Sequence, residues 1–212
     1  MLTIEKVKQH YDVHELETPA MIVDNSVISQ KFLEFCGMID GVRVFYSVKA
    51  NSHKVVLRNI RDLGSGFEVS STKELRAVVS LGVGPDRIVV GNTMKVPSFI
   101  ERCHEYGVNY FAYDSQNEID KLADLAPRSN VALRISVDNS GSEWPLSMRF
   151  GVSRPEAERL LAYAKKKRLN PYGITFHVGS QCTDATAWSK ALVTVAELLK
   201  WASDNNLNLE VV

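Results

Sequence analysis

The feature that most restricts this chain is a near-constant interval. Short β-branched or aromatic runs recur along it, each followed by a polar loop and a stretch of helical apolar spacing that ends in glycine. The runs are 42–48 (VRVFYSV), 66–70 (GFEVS), 87–91 (RIVVG), 109–113 (NYFAY), 131–136 (VALRIS), 172–178 (YGITFHV) and 207–212 (LNLEVV). The first five begin roughly 21 to 24 residues apart, about the room a βα unit needs. Such alternation predicts an α/β fold with a parallel sheet and helices outside it.

Helix boundaries agree with that frame. Ser71-x-x-Glu74, Ser115-x-x-Glu118 and Ser153-x-x-Glu156 match the capping box, in which a hydroxyl and a carboxylate satisfy the first free amides of a helix. Gly64, Gly82 and Gly107 stand where a left-handed residue closes a helix, each shortly before the next strand. Leu75, Val78, Val79 and Leu81, and again Leu160, Leu161 and Ala164, give the apolar stripe that would cover a sheet.

Two segments break the rhythm. VDNSGSEWPLSMRFGV, between Ser136 and Ser153, is a long stretch of turn formers, the kind of loop that is usually functional or mobile. Ahead of the repeat, 18–24 (TPAMIVD) reads as a strand outside the βα register, followed by a helix from about residue 26 to 38. A closed (β/α)8 barrel needs about 250 residues and eight strands. Seven strands are legible here, so the choice lies between an open sheet and a TIM-type barrel cut before its closing strand. Even spacing favours the incomplete barrel.

Composition excludes several roles. The 212 residues carry 25 Lys+Arg against 25 Asp+Glu, so there is no basic field to hold a phosphate backbone, and nucleic acid is not an expected partner. No apolar run approaches the roughly 18 residues of a membrane span. The N-terminal residues lack the apolar core of a secretion signal, so a cytoplasmic location is the default expectation. Cys36, Cys103 and Cys182 have neither disulfide nor zinc spacing, and no metal site is expected. G-x-S-x-G, H-E-x-x-H, Walker and post-strand G-x-G-x-x-G patterns are missing, which removes the commonest hydrolase, zinc protease and nucleotide-fold readings.

In a barrel of this kind chemistry sits at the C-terminal ends of the strands. The residues there are Lys49, Glu68, Asn92 with Lys95, Asp114, Arg134, and His177 with Gly179 and Ser180. Lys49 closes an apolar strand. Buried in the barrel mouth it would be a desolvated amine, able to condense with a carbonyl; by position alone a solvated strand-end lysine is the commoner case. Glu74 is explained by its capping box. Glu68, inside a core-facing strand, needs a cationic or hydrogen-bonded partner. His177 precedes Val-Gly-Ser, a small loop that could offer amides to phosphate at a helix start; a core histidine bonded to backbone is as good a reading.

Taken in order, FYSVKANS, GSGFEVSSTKEL, PDRIVVGNTMK, FAYDSQNEIDKL, LRIS, LSMRFGVS and GITFHVGSQCTD closely resemble the barrel domain of ornithine decarboxylase-like enzymes. This family includes ornithine, diaminopimelate and arginine decarboxylases, of the alanine racemase-like fold type III of pyridoxal 5'-phosphate (PLP) proteins. The match runs from about residue 18 to the end, and VKAN with HVGSQ at this separation is highly specific. The resemblance implies that Lys49 forms a Schiff base with PLP, that His177 stacks on the pyridine ring, and that Ser180 contacts the phosphate. It places Arg134 near the ring edge and Glu74 near the Schiff base. Glu68 stands where ornithine decarboxylases usually have Asp, so the longer side chain must be accommodated.

The implied activity is decarboxylation of a small basic amino acid, foremost L-ornithine to putrescine in polyamine biosynthesis, with Lys49, His177 and Glu68 catalytic. Alternatives are a PLP decarboxylase or racemase of diaminopimelate, lysine or arginine, and a non-catalytic regulatory homologue. The family continues past the equivalent of residue 212 with a Gly-rich phosphate loop, a strand whose Glu faces the pyridine nitrogen, and a β domain that completes the partner's site in a homodimer. The expectations are therefore an N-terminal segment over 1–40, whose strand 18–24 pairs with that β domain, and a truncated PLP-binding barrel over 41–212. The chain alone is expected to be inactive and to hold PLP weakly or not at all.

Overall fold

The computed structural model describes residues 3–14, 17, 19–144 and 149–212. Two helices come first, α1 (Ile4–His14) and α2 (Asn25–Met38). Strands and helices then alternate: β1 (Phe45–Ser47), α3 (Lys54–Asp62), β2 (Gly66–Glu68), α4 (Thr72–Val79), β3 (Ile88–Val89), α5 (Pro97–Tyr106), β4 (Tyr110–Tyr113), α6 (Gln116–Leu125) and β5 (Asn130–Arg134). After β5 come β6 (Ser142–Trp144), α7 (Arg154–Lys166), β7 (Asn170–Thr175), β8 (Ser180–Cys182) and α8 (Ala185–Asp204).

The strands of the βα repeat are parallel. β1, β2 and β3 form one ladder and β4, β5 and β7 another. Val90 bridges Phe111 and joins the two, and Gly173 bridges Val211 at the far edge. Among the described residues no pairing links Val211 back to β1. The β5–β7 register shifts after Val131, which faces Pro171. A proline has no N–H to give to the ladder, so an irregularity there is a consequence of the sequence.

Strand side chains Phe67, Phe111, Leu133 and Ile174 share one buried core with Leu57, Leu75, Ile119 and Leu160 from the covering helices. Each such side chain contributes roughly 1.5–3 kcal/mol relative to its exposed state. Ser71 and Ser115 accept the amides of Glu74 and Glu118 at 3.3 Å each, the hydroxyl half of the expected capping boxes, while the carboxylates turn elsewhere, Glu74 to Ser70 and Glu118 to residue 95. Ser153 caps α7 without a side-chain hydrogen bond. Gly64, Gly82 and Gly107 have φ of 91°, 77° and 91°, the left-handed values expected of them.

Three expectations need correction, and one helix is unanticipated. Thr18 lies outside the described residues, and 19–24 form no strand. Among the described residues no backbone pairs with them, and Met21 is 84% exposed. The run 207–212 is reduced to the bridge at Val211, because only its β7 side offers a partner. The long loop contains a strand, β6, which pairs antiparallel with β8. α1 is not legible in the sequence: its charges recur too often to show an apolar stripe. No helix among the described residues is long and apolar enough to cross a membrane.

Candidate active site

The C-terminal strand ends converge on a cavity of about 520 Å³. Lys49, Glu68, Arg134, His177 and Ser180 all line it, together with Gly91, Asn92, Thr93, Met94, Phe150, Thr175 and Phe176. Five of the six site residues named from the sequence are thus brought together. Glu68 ends β2 and Arg134 ends β5, while Lys49 sits in a single 3-10 turn directly after β1.

Glu68 is the hinge of the arrangement. Its carboxylate accepts a hydrogen bond from Ser47 Oγ, and the same Oε2 lies 3.9 Å from Lys49 Nζ. The Glu68 side chain is 16% exposed and that of Lys49 65%. The sequence reading asked for a partner for a half-buried carboxylate and the structure supplies two. It also expected a dry lysine, and here the correction is plain: a turn at the rim lifts the Lys49 side chain into solvent while its amine stays beside Glu68. The longer carboxylate is accommodated because residue 91 is glycine. A Cβ there would lie 3.0 Å from Glu68 Cγ and 3.2 Å from its Oε1. Gly91→Ala is expected to cost about 1–3 kcal/mol in urea unfolding as an overpacking change. In a double-mutant cycle with Glu68→Asp most of that cost should disappear. Strict additivity would show that the two positions are independent.

Arg134 lies over the Phe150 ring, with Cζ 5.0 Å from the centroid. Burial lowers its pKa from the usual arginine value, and the Asp114 charge opposes that shift. His177 Nδ1 accepts the Gly179 amide at 2.9 Å, which assigns the ring proton to Nε2. Its pKa is lowered from 6.5, first by partial burial and then by the Arg134 and Lys49 charges. The folded chain therefore refuses a proton that the unfolded chain accepts, so this group opposes folding as pH falls below 6.5 and is silent above it. A proton NMR titration of His177 should show a midpoint below 6.5, moving upward in Arg134→Gln. An unchanged midpoint would mean that Arg134 does not act on the ring.

Glu74 does not line the cavity. Its Oε2 accepts the Ser70 amide at 2.7 Å and the Ser70 hydroxyl at 2.9 Å, so it serves the start of α4. The loop after His177 also differs from expectation: it leads into β8 rather than a helix. The next helix, α8, has its first amides capped by the Asp184 carboxylate, which would repel a phosphate. Ser180 lines the cavity as a strand residue. Sequence reasoning missed Gly91, Thr93, Phe150 and Phe176. Thr93 is 1% exposed and, among the described residues, neither its hydroxyl nor Asn92 Oδ1 has a hydrogen-bond partner. An amine, a guanidinium, an imidazole N–H and the Thr93 hydroxyl form a donor set that fits a small anionic aldehyde such as PLP.

Residues 25–212 match the family described as pyridoxal-dependent decarboxylase, pyridoxal binding domain. Among curated relatives, the chain is 32% identical over 191 residues to ornithine decarboxylase of Schizosaccharomyces pombe, covering 90% of this chain and 44% of that protein. It is 34% identical over 183 residues to antizyme inhibitor 2 of Xenopus laevis, covering 86% and 40%. The crystal structure of lysine decarboxylase from Selenomonas ruminantium superposes with a TM-score of 0.92 at 29% identity, covering all of this chain and 55% of that one. The chain thus spans about half the length of the proteins it matches, or less.

Proposed function

Because the chain belongs to the pyridoxal-dependent decarboxylases, whose pyridoxal binding domain it matches, we propose that it forms the cofactor-binding barrel of an enzyme that decarboxylates a basic amino acid, ornithine before lysine or arginine. In this reading the parallel array is the alanine racemase-like barrel, and residues 1–40 form the approach to it. The observation that carries the proposal is the convergence of Lys49, Glu68, Arg134, His177 and Ser180, from separate strand ends, on one cavity.

When bound, PLP supplies a conjugated ring that accepts the electron pair left as the substrate's carboxylate departs. Everything else falls to the chain's side chains. Lys49 offers the amine that holds the cofactor's aldehyde carbon. It reacts only after losing a proton, and Glu68, at 3.9 Å, is the carboxylate beside it. Arg134 places a fixed positive charge on the cavity wall, oriented by Phe150. Partial burial, and after it the Arg134 and Lys49 charges, lower the His177 pKa, so the imidazole resists adding a third positive charge as it lies against a ring. Ser180 offers a hydroxyl to the phosphate. Glu74 supports the wall from the α4 cap.

Incubation of the full-length protein with PLP, borohydride reduction and peptide mapping tests the assignment: Lys49 should carry the label, and product analysis with ornithine, lysine and arginine should show the corresponding amine and CO2. A label elsewhere, or none, defeats it. A second reading, a non-catalytic regulatory homologue, draws support from the likeness to a protein named for inhibiting antizyme and from the exposure of Lys49. That reading requires an unlabelled Lys49.

A further inference from the structure

Behind the cavity wall lies a buried ion cluster that the proposed chemistry does not use. The Lys95 side chain is fully buried, and its Nζ lies 3.0 Å from Glu118 Oε2, whose side chain is 4% exposed. The same ammonium donates to three carbonyls, Ala112 at 2.6 Å, Asn92 at 3.1 Å and Thr93 at 3.2 Å. Glu118 Oε1 accepts the Lys95 amide at 3.4 Å and pairs with Lys121. Lys121 in turn donates to the Lys95 carbonyl at 2.6 Å. Both ends of residue 95 are therefore gripped.

A buried ion pair is a poor way to gain stability, since desolvating two charges offsets most of their attraction. Its geometry here is directional instead. Two of the carbonyls belong to Asn92 and Thr93, the residues that form the cavity wall with Gly91 and Met94; the third belongs to the end of β4. Gly91 in turn abuts Glu68, whose carboxylate lies 3.9 Å from the Lys49 amine. A shift of the 91–94 wall by a few tenths of an ångström reaches the amine through these contacts, because a packed wall transmits displacement.

We propose that Lys95 and Glu118 are positioning residues: they tie the 91–94 wall to β4 and α6, and so aim the Glu68 carboxylate at Lys49. This rests on Lys49 being the PLP-bearing amine. The apolar double variant K95M/E118L removes both charges and keeps volume, but it takes the ammonium donor from three carbonyls and the carboxylate from Lys121, so a modest loss of global stability is expected and is measured first. Three readouts are compared in the full-length protein, at a denaturant-free condition where parent and variant are both folded. Amide exchange over 92–95 is expected to accelerate roughly 10-fold or more, as the wall loses its tie. The rate of borohydride-trapped PLP labelling at Lys49 is expected to fall roughly 10- to 100-fold, the penalty of misplaced reacting groups. The pH profile of Lys49 modification by trinitrobenzenesulfonate, a probe that does not need PLP binding, is expected to move, while that of exposed Lys31 stays fixed. Parental exchange, labelling and profile would overturn the proposal. If PLP fails to label the parent, the function proposed above falls, and exchange together with the trinitrobenzenesulfonate profile still decides the positioning role. Should K95M/E118L not fold, E118Q is read by the same three measurements.

Discussion

Lys49→Ala is expected to abolish borohydride-stable PLP labelling of the cavity while leaving the urea midpoint almost unchanged. The two halves of that result have different causes. Lys49 is 65% exposed and its pairing with Glu68 is long, at 3.9 Å. Exposed ion pairs contribute about 0–1 kcal/mol, so the folded state loses little. Chemistry loses the amine itself. On the function proposed above, amino-acid decarboxylation should fall on the order of 10⁴-fold, the upper end for removal of a positioned proton-transfer group. Lys49→Arg should fare no better, because a guanidinium stays protonated and does not form an imine. Lys95 is the other cavity-side amine, and it cannot substitute: its ammonium is enclosed by three carbonyls and a carboxylate. Undiminished labelling of Lys49→Ala would move the cofactor's attachment to another lysine and with it the whole site.

The strand-end logic makes most of this arrangement legible in the sequence. Lys49, Glu68, Arg134 and His177 stand at or just past the ends of apolar runs, and a parallel βα array displays those positions together. The resemblance then gives them roles that spacing alone could not. The residues that escape depend on long-range packing. Gly91 reads as an ordinary strand-end glycine until Glu68 is seen lying against it. Thr93 and Phe150 sit in loops whose path depends on Lys95 and Asp114. The β6–β8 pair is invisible because each strand is three residues long and its partner lies about 40 residues away in sequence, beyond any local pattern. The desolvation expected of Lys49 fails for a related reason: alternation along a strand gives the direction of a side chain, whereas the turn over residues 48–50 decides how far it reaches into solvent.

Residues 149–152, which read only as the end of a polar, glycine-containing loop, prove to be fixed with little tolerance, and Gly151→Val tests how little. Gly151 has φ of 86°, and a Cβ on it would lie 2.6 Å from the carbonyl carbon and oxygen of Ile135 and 2.7 Å from the Ser136 nitrogen. Those are backbone atoms of the segment leaving β5, held by Ser136 N to Val152 O at 2.9 Å and Val152 N to Arg134 O at 3.1 Å. They cannot yield as a flexible side chain would. The Gly151 amide also donates to Asp114 Oδ2 at 3.0 Å. A left-handed non-glycine residue costs about 1–2 kcal/mol and overpacking about 1–3 more, against a total stability of roughly 5–15 kcal/mol. A fall in Tm on the order of 10 °C is expected for a chain of this size. Gly151→Asn separates the two causes, since asparagine tolerates positive φ but carries the same Cβ: if close approach dominates, it should be nearly as damaging as Gly151→Ala. Because Phe150 is the next residue and lies over Arg134, the same displacement should release that guanidinium and move the His177 titration midpoint, through the Arg134 charge, in any fraction that stays folded. A Gly151→Val chain that melts with the parent and keeps its His177 midpoint would mean that 149–152 does not pack on β5 and that Arg134 is aimed by something else.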